Sequence, residues 1–179
     1  MIAGLREACD EDAAALQSLI RACYDEYENC VLDVEREEPL LKAPASGIAR
    51  MGGRFWVLDA ESIARGPAAP MELIACVGCA PSRLGRSALE LKKLYVARTA
   101  RRRGLGAALV GVVEREATVR GCRTIELWSD TRFLDAHRLY ERLGYARTGA
   151  IRELFDLSDT VEYQFMKVIA ESRPHHATA

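Results

Sequence analysis

Residues 94–110 read LYVARTARRRGLGAALV, and the fold is decided in this stretch. An apolar strand-like start gives way to a basic turn, and two glycines separated by one residue open an amphipathic run. Leu105, Leu109, Val112, Val113 and Ala117 recur on one stripe, which predicts a helix from Leu105 to about Arg120, stopped by Gly121. A strand that turns directly into a helix is an anion cradle. The first N–H groups of the helix lack partners and lie at its positive end. Gly104 and Gly106 let a ligand approach the backbone with no Cβ in the way, and Arg101, Arg102 and Arg103 add charge-assisted donors. The nucleoside-triphosphate pattern G-x-x-x-x-G-K-[ST] is absent. The dinucleotide pattern G-x-G-x-x-G also fails, because Leu109 stands where its third glycine belongs. What remains is R-x-x-G-x-G, carried by Arg101, Gly104 and Gly106. Taken alone it is weakly specific, since any basic helix start with two glycines matches it.

The neighbouring segments alternate strand and helix. Upstream, residues 3–9 form a short first strand, Asp10 is placed to cap a helix running to about Tyr27, and residues 28–44 form a long acidic loop or short second helix over a site. RFWVLDA (54–60) and MELIACVGCAP (71–81) read as hairpin strands around a loop at Arg65–Pro70, and Leu89–Arg98 as the next strand. Downstream come a strand at Thr124–Ser129, a helix at Asp135–Leu143 stopped by Gly144, and strands at Tyr145–Thr148 and Thr160–Val168. This order requires at least one parallel strand pair with a helical crossover, hence an α/β fold (α+β by some schemes). One domain is expected over residues 1–170, with residues 171–179 a disordered polar tail.

The formal net charge of -1 argues against a dedicated nucleic-acid binder, which needs surplus basic charge. No apolar run reaches membrane-spanning length, and the acidic N-terminus does not read as a secretion signal, so a cytoplasmic protein is expected. Six cysteines in apolar contexts read as free, mostly buried thiols. Cys76 and Cys79 form a C-x-x-C, but no second pair completes a zinc site, so the pair is read as structural and no metal is expected.

Two stretches together resemble one family. Arg101, Gly104 and Gly106 match [QR]-x-x-G-x-[GA], and AHRLYERLGY (136–145) matches a second hallmark, A-x-x-[LF]-Y-[EK]-[KR]-[LN]-G-[FY], in the right order and with a helix and strand between them. The chain thus resembles the GNAT acyltransferase superfamily, strongly over residues 89–148 and by element order elsewhere. The resemblance implies a mixed central sheet with a splay between its fourth and fifth strands, flanked by helices. It also implies acetyl-coenzyme A as cofactor, its pyrophosphate held around Arg101, Arg102, Arg103, Gly104, Leu105, Gly106 and Ala107. The bulged strand KKLYV would offer backbone groups of Leu94, Tyr95 and Val96 to the pantetheine arm. Arg142 is a candidate for the phosphoadenosine end.

The same resemblance gives Tyr140 the role of acid, near the coenzyme A sulfur, where its phenol protonates the leaving thiolate. Two glutamates compete as base. Glu90 lies on the fourth strand, Glu126 on the fifth, and an ordered water chain is the third alternative. Phe133 departs from the pattern, since many relatives carry an asparagine there that touches the cofactor. The acidic stretch Asp33–Glu38 reads either as a solvated loop or as a carboxylate-lined mouth for a cationic acceptor. Three activities stay open. The favoured one is N-acetylation of a small-molecule primary amine in a ternary complex. The others are acetylation of a protein N-terminus or lysine, and non-catalytic coenzyme A binding. A homodimer is common for such folds, but no interface is legible.

Overall fold

The computed structural model describes residues 2–60 and 72–169, so the expected loop at Arg65–Pro70 and the expected tail at 171–179 lie outside the described residues. In chain order the elements are β1 (Leu5–Glu7), α1 (Ala13–Tyr24), α2 (Pro44–Arg50), β2 (Arg54–Asp59), β3 (Leu73–Pro81) and β4 (Ala88–Val96). They continue with α3 (Leu105–Val119), β5 (Thr124–Asp130), α4 (Leu134–Arg142), β6 (Ala146–Glu153) and β7 (Val161–Val168). The strands form one sheet in the order β1-β2-β3-β4-β5-β7-β6. All neighbours are antiparallel except β4 and β5, the parallel pair that α3 connects.

Period-two alternation sends side chains to opposite faces of this sheet. In β2, Phe55 and Val57 join Leu16, Leu19 and Ile48 of α1 and α2, whereas Trp56 and Leu58 join Leu109, Val110 and Val113 of α3. Tyr140 of α4 and Phe165 of β7 complete the second cluster. The C-x-x-C pair obeys the same geometry. Three residues apart on β3, Cys76 packs with the α1 face and Cys79 with the α3 face, and burial pushes the Cys79 thiol up to about 11. Such thiols stay protonated and act as small apolar groups.

One capping assignment changes. Asp10 does not cap α1, because Asp10–Asp12 forms a 3-10 turn ahead of it. The Asp10 carboxylate instead accepts the backbone N–H of Ser46 at 2.9 Å and the Ser46 hydroxyl, so it serves the first turn of α2. Asp12 takes the local role. It is fully buried, accepts the Cys9 N–H at 2.8 Å and is paired with Arg6. Pro44 opens α2, where a missing N–H costs nothing.

Gly53, at the entry to β2, shows how tightly α2 is held. A Cβ there would lie 2.2 Å from the Cys79 carbonyl oxygen and 2.7 Å from Ile48 Cγ1. Gly53→Ala is therefore expected to lower stability by at least about 2 kcal/mol, seen as a lower urea midpoint at unchanged m-value.

Candidate active site

The β4–β5 ladder is short. Its register runs from Ala88 opposite Thr124 to Leu91 opposite Leu127 and then stops, although both strands continue. Beyond that point β5 pairs only with β7, and β4 only with β3. A bulge drives the separation. Lys93 has a φ of +55°, and the β3–β4 register shifts between Cys76 and Gly78, leaving Lys93 and Leu94 opposite no residue of either neighbour. A bulge bends its strand and increases local twist. The opening becomes a cavity of about 340 Å³ walled by Glu90 to Tyr95 on one side and Trp128 to Asp130 on the other.

Tyr140 reaches this cavity from α4. Its ring packs on Phe165 and Tyr145, it is 5 % exposed, and its hydroxyl bonds to no described residue. Burial raises its pKa well above the usual phenol value, so the group keeps its proton at neutral pH. Behind it on α4, His137 uses Nε2–H on the Asp130 carbonyl at 2.9 Å. Phe133 stacks on Tyr27 with ring centres 4.7 Å apart, and Tyr24 bonds to Tyr95 through their hydroxyls at 3.2 Å. The position where relatives carry asparagine is thus part of an aromatic wall that joins α1 to β4 and α4.

The two glutamate candidates sit opposite each other in the parallel register but in different surroundings. Glu90 lines the cavity and is paired with Lys92 at 2.5 Å. Glu126 is buried, accepts from the Ser82 hydroxyl and from Gln164 Nε2 at 2.7 Å, and is absent from the cavity wall.

The basic turn is an open set of donors. Arg102 has a φ of +64° and Gly104 a φ of +77°, the latter as the residue ahead of α3. Left-handed residues in such a turn bring successive N–H groups to one side. No backbone N–H from Arg102 through Ala107 donates to another described residue, which fits six orphan donors at a helix N-terminus to a diphosphate. The guanidinium groups of Arg102 and Arg103 are exposed and make no ion pair with a described residue. Arg101 differs. Its side chain forms a two-pronged pair with Glu26 at 2.6 and 2.8 Å and donates Nε–H to the Val96 carbonyl at 3.0 Å. Its guanidinium is committed to the fold, and the Val96 carbonyl already has a donor. Gly106 has a further use, since a Cβ there would come within 2.9 Å of Leu139 on α4. Arg142, one turn beyond Leu139, is exposed at the end of α4.

Sequence reasoning expected a loop or short helix over a site at residues 28–44 but not what fastens this roof. Residues 28–38 cross the cavity and dock on the β6–β7 connection. The Val31 N–H donates to Ser158 Oγ at 2.8 Å, the Leu157 N–H to Glu37 Oε1 at 2.8 Å, and Lys93 pairs with Glu38. Arg132 adds bonds to the carbonyls of Glu28 and Asn29 at 3.3 Å. The adjacent lysines of β4, Lys92 and Lys93, were the available sequence signal for those anchors.

The sequence matches the Acetyltransferase (GNAT) family over residues 14–145. The chain belongs to that family. It is accordingly an acyltransferase that uses acetyl-CoA, and the splayed strands, the orphan N–H groups and the unpartnered Tyr140 hydroxyl fit that cofactor. No curated protein matches the chain. Among solved structures, a GNAT-family acetyltransferase of Staphylococcus aureus Mu50 superposes with a TM-score of 0.72 at 18% identity, covering 92% of this chain and 97% of its own. yncA of Salmonella typhimurium, solved with its cofactor acetyl-CoA, gives 0.66 at 16% identity, covering 97% and 98%. An aminoglycoside 6'-acetyltransferase type Ii gives 0.64 at 21%, covering 94% and 97%. At these identities the GNAT fold is shared and the acceptor is not determined. No helix among the described residues is long and apolar enough to cross a membrane.

Two outcomes test the turn and its support. Calorimetry should show acetyl-CoA binding to the GNAT protein that the double variant Arg103→Glu, Gly104→Glu abolishes while still folded. Desolvation lowers the His137 pKa, so the unfolded chain takes up this proton first as pH falls. The thermal midpoint should therefore begin to fall below about pH 6.5, and His137→Gln should remove that part of the slope.

Proposed function

We propose that this enzyme transfers the acetyl group to a primary amine of a small molecule, by direct attack in a ternary complex. The observation that carries the reading is the roof. Residues 28–38 are fastened to β4, to the β6–β7 connection and to Arg132, so the acceptor side is a walled cavity of about 340 Å³ in place of an open groove. A protein lysine requires a groove that admits polypeptide on both sides of the reacting residue, and an N-terminus an open end for the chain that follows it.

Bound acetyl-CoA supplies an activated thioester carbonyl. Leu94 and the bulged backbone around it orient the arm, and the N–H groups of residues 102–107 hold the diphosphate with Arg102 and Arg103. Tyr140 holds a proton at its hydroxyl oxygen for the departing sulfur. Glu90, the glutamate on the cavity wall, accepts the proton that the attacking amine loses, directly or through water, and Lys92 fixes its carboxylate. Glu126 holds β5 to the β3–β4 connection and β7 through Ser82 and Gln164. The whole activity resides in one domain over residues 1–170 and in the cytoplasm, a setting supported by six free cysteines.

Release of free thiol from acetyl-CoA, measured over a panel of small primary amines and unstructured peptides, tests the proposal. Turnover of peptides alone would replace the small-molecule reading with the protein-acetylating one. Tyr140→Phe should lower kcat by about 100-fold, with acetyl-CoA affinity retained in calorimetry. A loss of affinity at unchanged kcat would make Tyr140 a packing residue only.

A further inference from the structure

The cavity carries an unbalanced pair of charges. Six carboxylates line it, and Glu38, Glu90, Asp130 and Glu162 each form an ion pair with a lysine or arginine. Glu37 and Asp156 form no ion pair with a described residue. Arg132 feels Asp156 through space, but its guanidinium is taken up by Asp130. The roof brings Glu37 to the loop that carries Asp156, since Glu37 Oε1 accepts the N–H of Leu157, the residue after Asp156, and both line the same cavity. Asp156 Oδ1 accepts the N–H groups of Ser158 and Thr160 at 3.2 and 2.8 Å. Each carboxylate therefore has one oxygen fixed by the fold and one, Glu37 Oε2 and Asp156 Oδ2, that accepts from no described residue.

Two carboxylates on one cavity wall without a paired cation make that wall negative, and a cationic group of a ligand is drawn to it. A second, independent mark lies in the same cavity. Tyr140, nine-tenths buried with an unpartnered hydroxyl, marks where the reacting end belongs. Aromatic surface from Tyr24, Trp128 and Phe133 lines the space as well, suited to a methylene chain or to the face of a cation.

Resting on the amine-acetyltransferase reading above, we propose that the acceptor is a diamine or polyamine. One nitrogen, neutral, is acetylated beside Tyr140. A second, as ammonium, is held between Glu37 and Asp156. The nitrogen–carbon bond forms as the carbon–sulfur bond breaks, and the second nitrogen takes no part in the chemistry.

The test compares butylamine with 1,4-diaminobutane, which differ by one terminal ammonium. With wild-type protein, kcat/KM for the diamine should exceed that for the monoamine by at least about tenfold, and added salt should shrink the ratio. In the double variant Glu37→Gln, Asp156→Asn, whose amide oxygens can still accept from Leu157, Ser158 and Thr160, the ratio should fall towards unity. A wild-type ratio near unity with both amines turned over overturns the diamine proposal and leaves the amine-acetyltransferase reading standing, as does a ratio the double variant fails to lower. Absence of transfer to either amine, or to any in the panel, while acetyl-CoA binds in calorimetry, overturns both.

Discussion

Backbone amides inside a sheet must find partners, and at the centre of this one a stretch of strand is paired with no described residue on one side. After Leu91 and Leu127 the two central parallel strands part, and the bulge at Lys93 keeps β4 from rejoining. A gap in the middle of a sheet is costly unless something else meets the exposed polar groups. The same gap lets Tyr140 enter from one face and the roof close the other. The cavity, the access of Tyr140 to it and its roof all depend on that interruption.

The basic turn is less uniform than its three arginines imply. Arg102 and Arg103 face solvent, but Arg101 turns back to Glu26 beyond the end of α1 and to the Val96 carbonyl at the end of β4. This strut joins the phosphate turn to the segment that leads into the roof. Gly106, which brings α3 close to Leu139 of α4, sets the turn's other side. Both residues look like phosphate ligands in sequence and prove to be positioned by packing as well.

Legibility in the sequence followed the range of the interactions. The basic turn and the start of α3 were readable because left-handed glycine, helix polarity and positive charge act within a few residues. The Tyr140 segment was readable because its helix and stop fall within ten residues. The roof was legible as a loop over a site, but its anchors were not, since they join Val31 to Ser158 and Glu37 to Leu157, pairs more than a hundred positions apart. Asp10 misled for the same reason. A carboxylate ahead of a helix is a local cap signal, yet its partner Ser46 lies 36 positions away. The choice between Glu90 and Glu126 could not be made from alternation, because paired positions on parallel strands share a face. Their surroundings separate them: Glu90 lines the cavity beside Lys92, whereas Glu126 is buried under bonds from Ser82 and Gln164.

The sheet also ends in β6, whose eight residues are all exposed. A free strand edge is a template on which other chains can add and aggregate. Here the edge is irregular. Its register with β7 shifts between Arg147 and Ile151, Gly149 within that shift has a φ of +89°, and Arg147 and Arg152 lie over the rings of Tyr163 and Trp128. The strand that carries the cavity's Arg152 is thereby a poor template for an incoming strand. Protection against fibre-like growth and the shaping of the cavity wall are built from the same few residues.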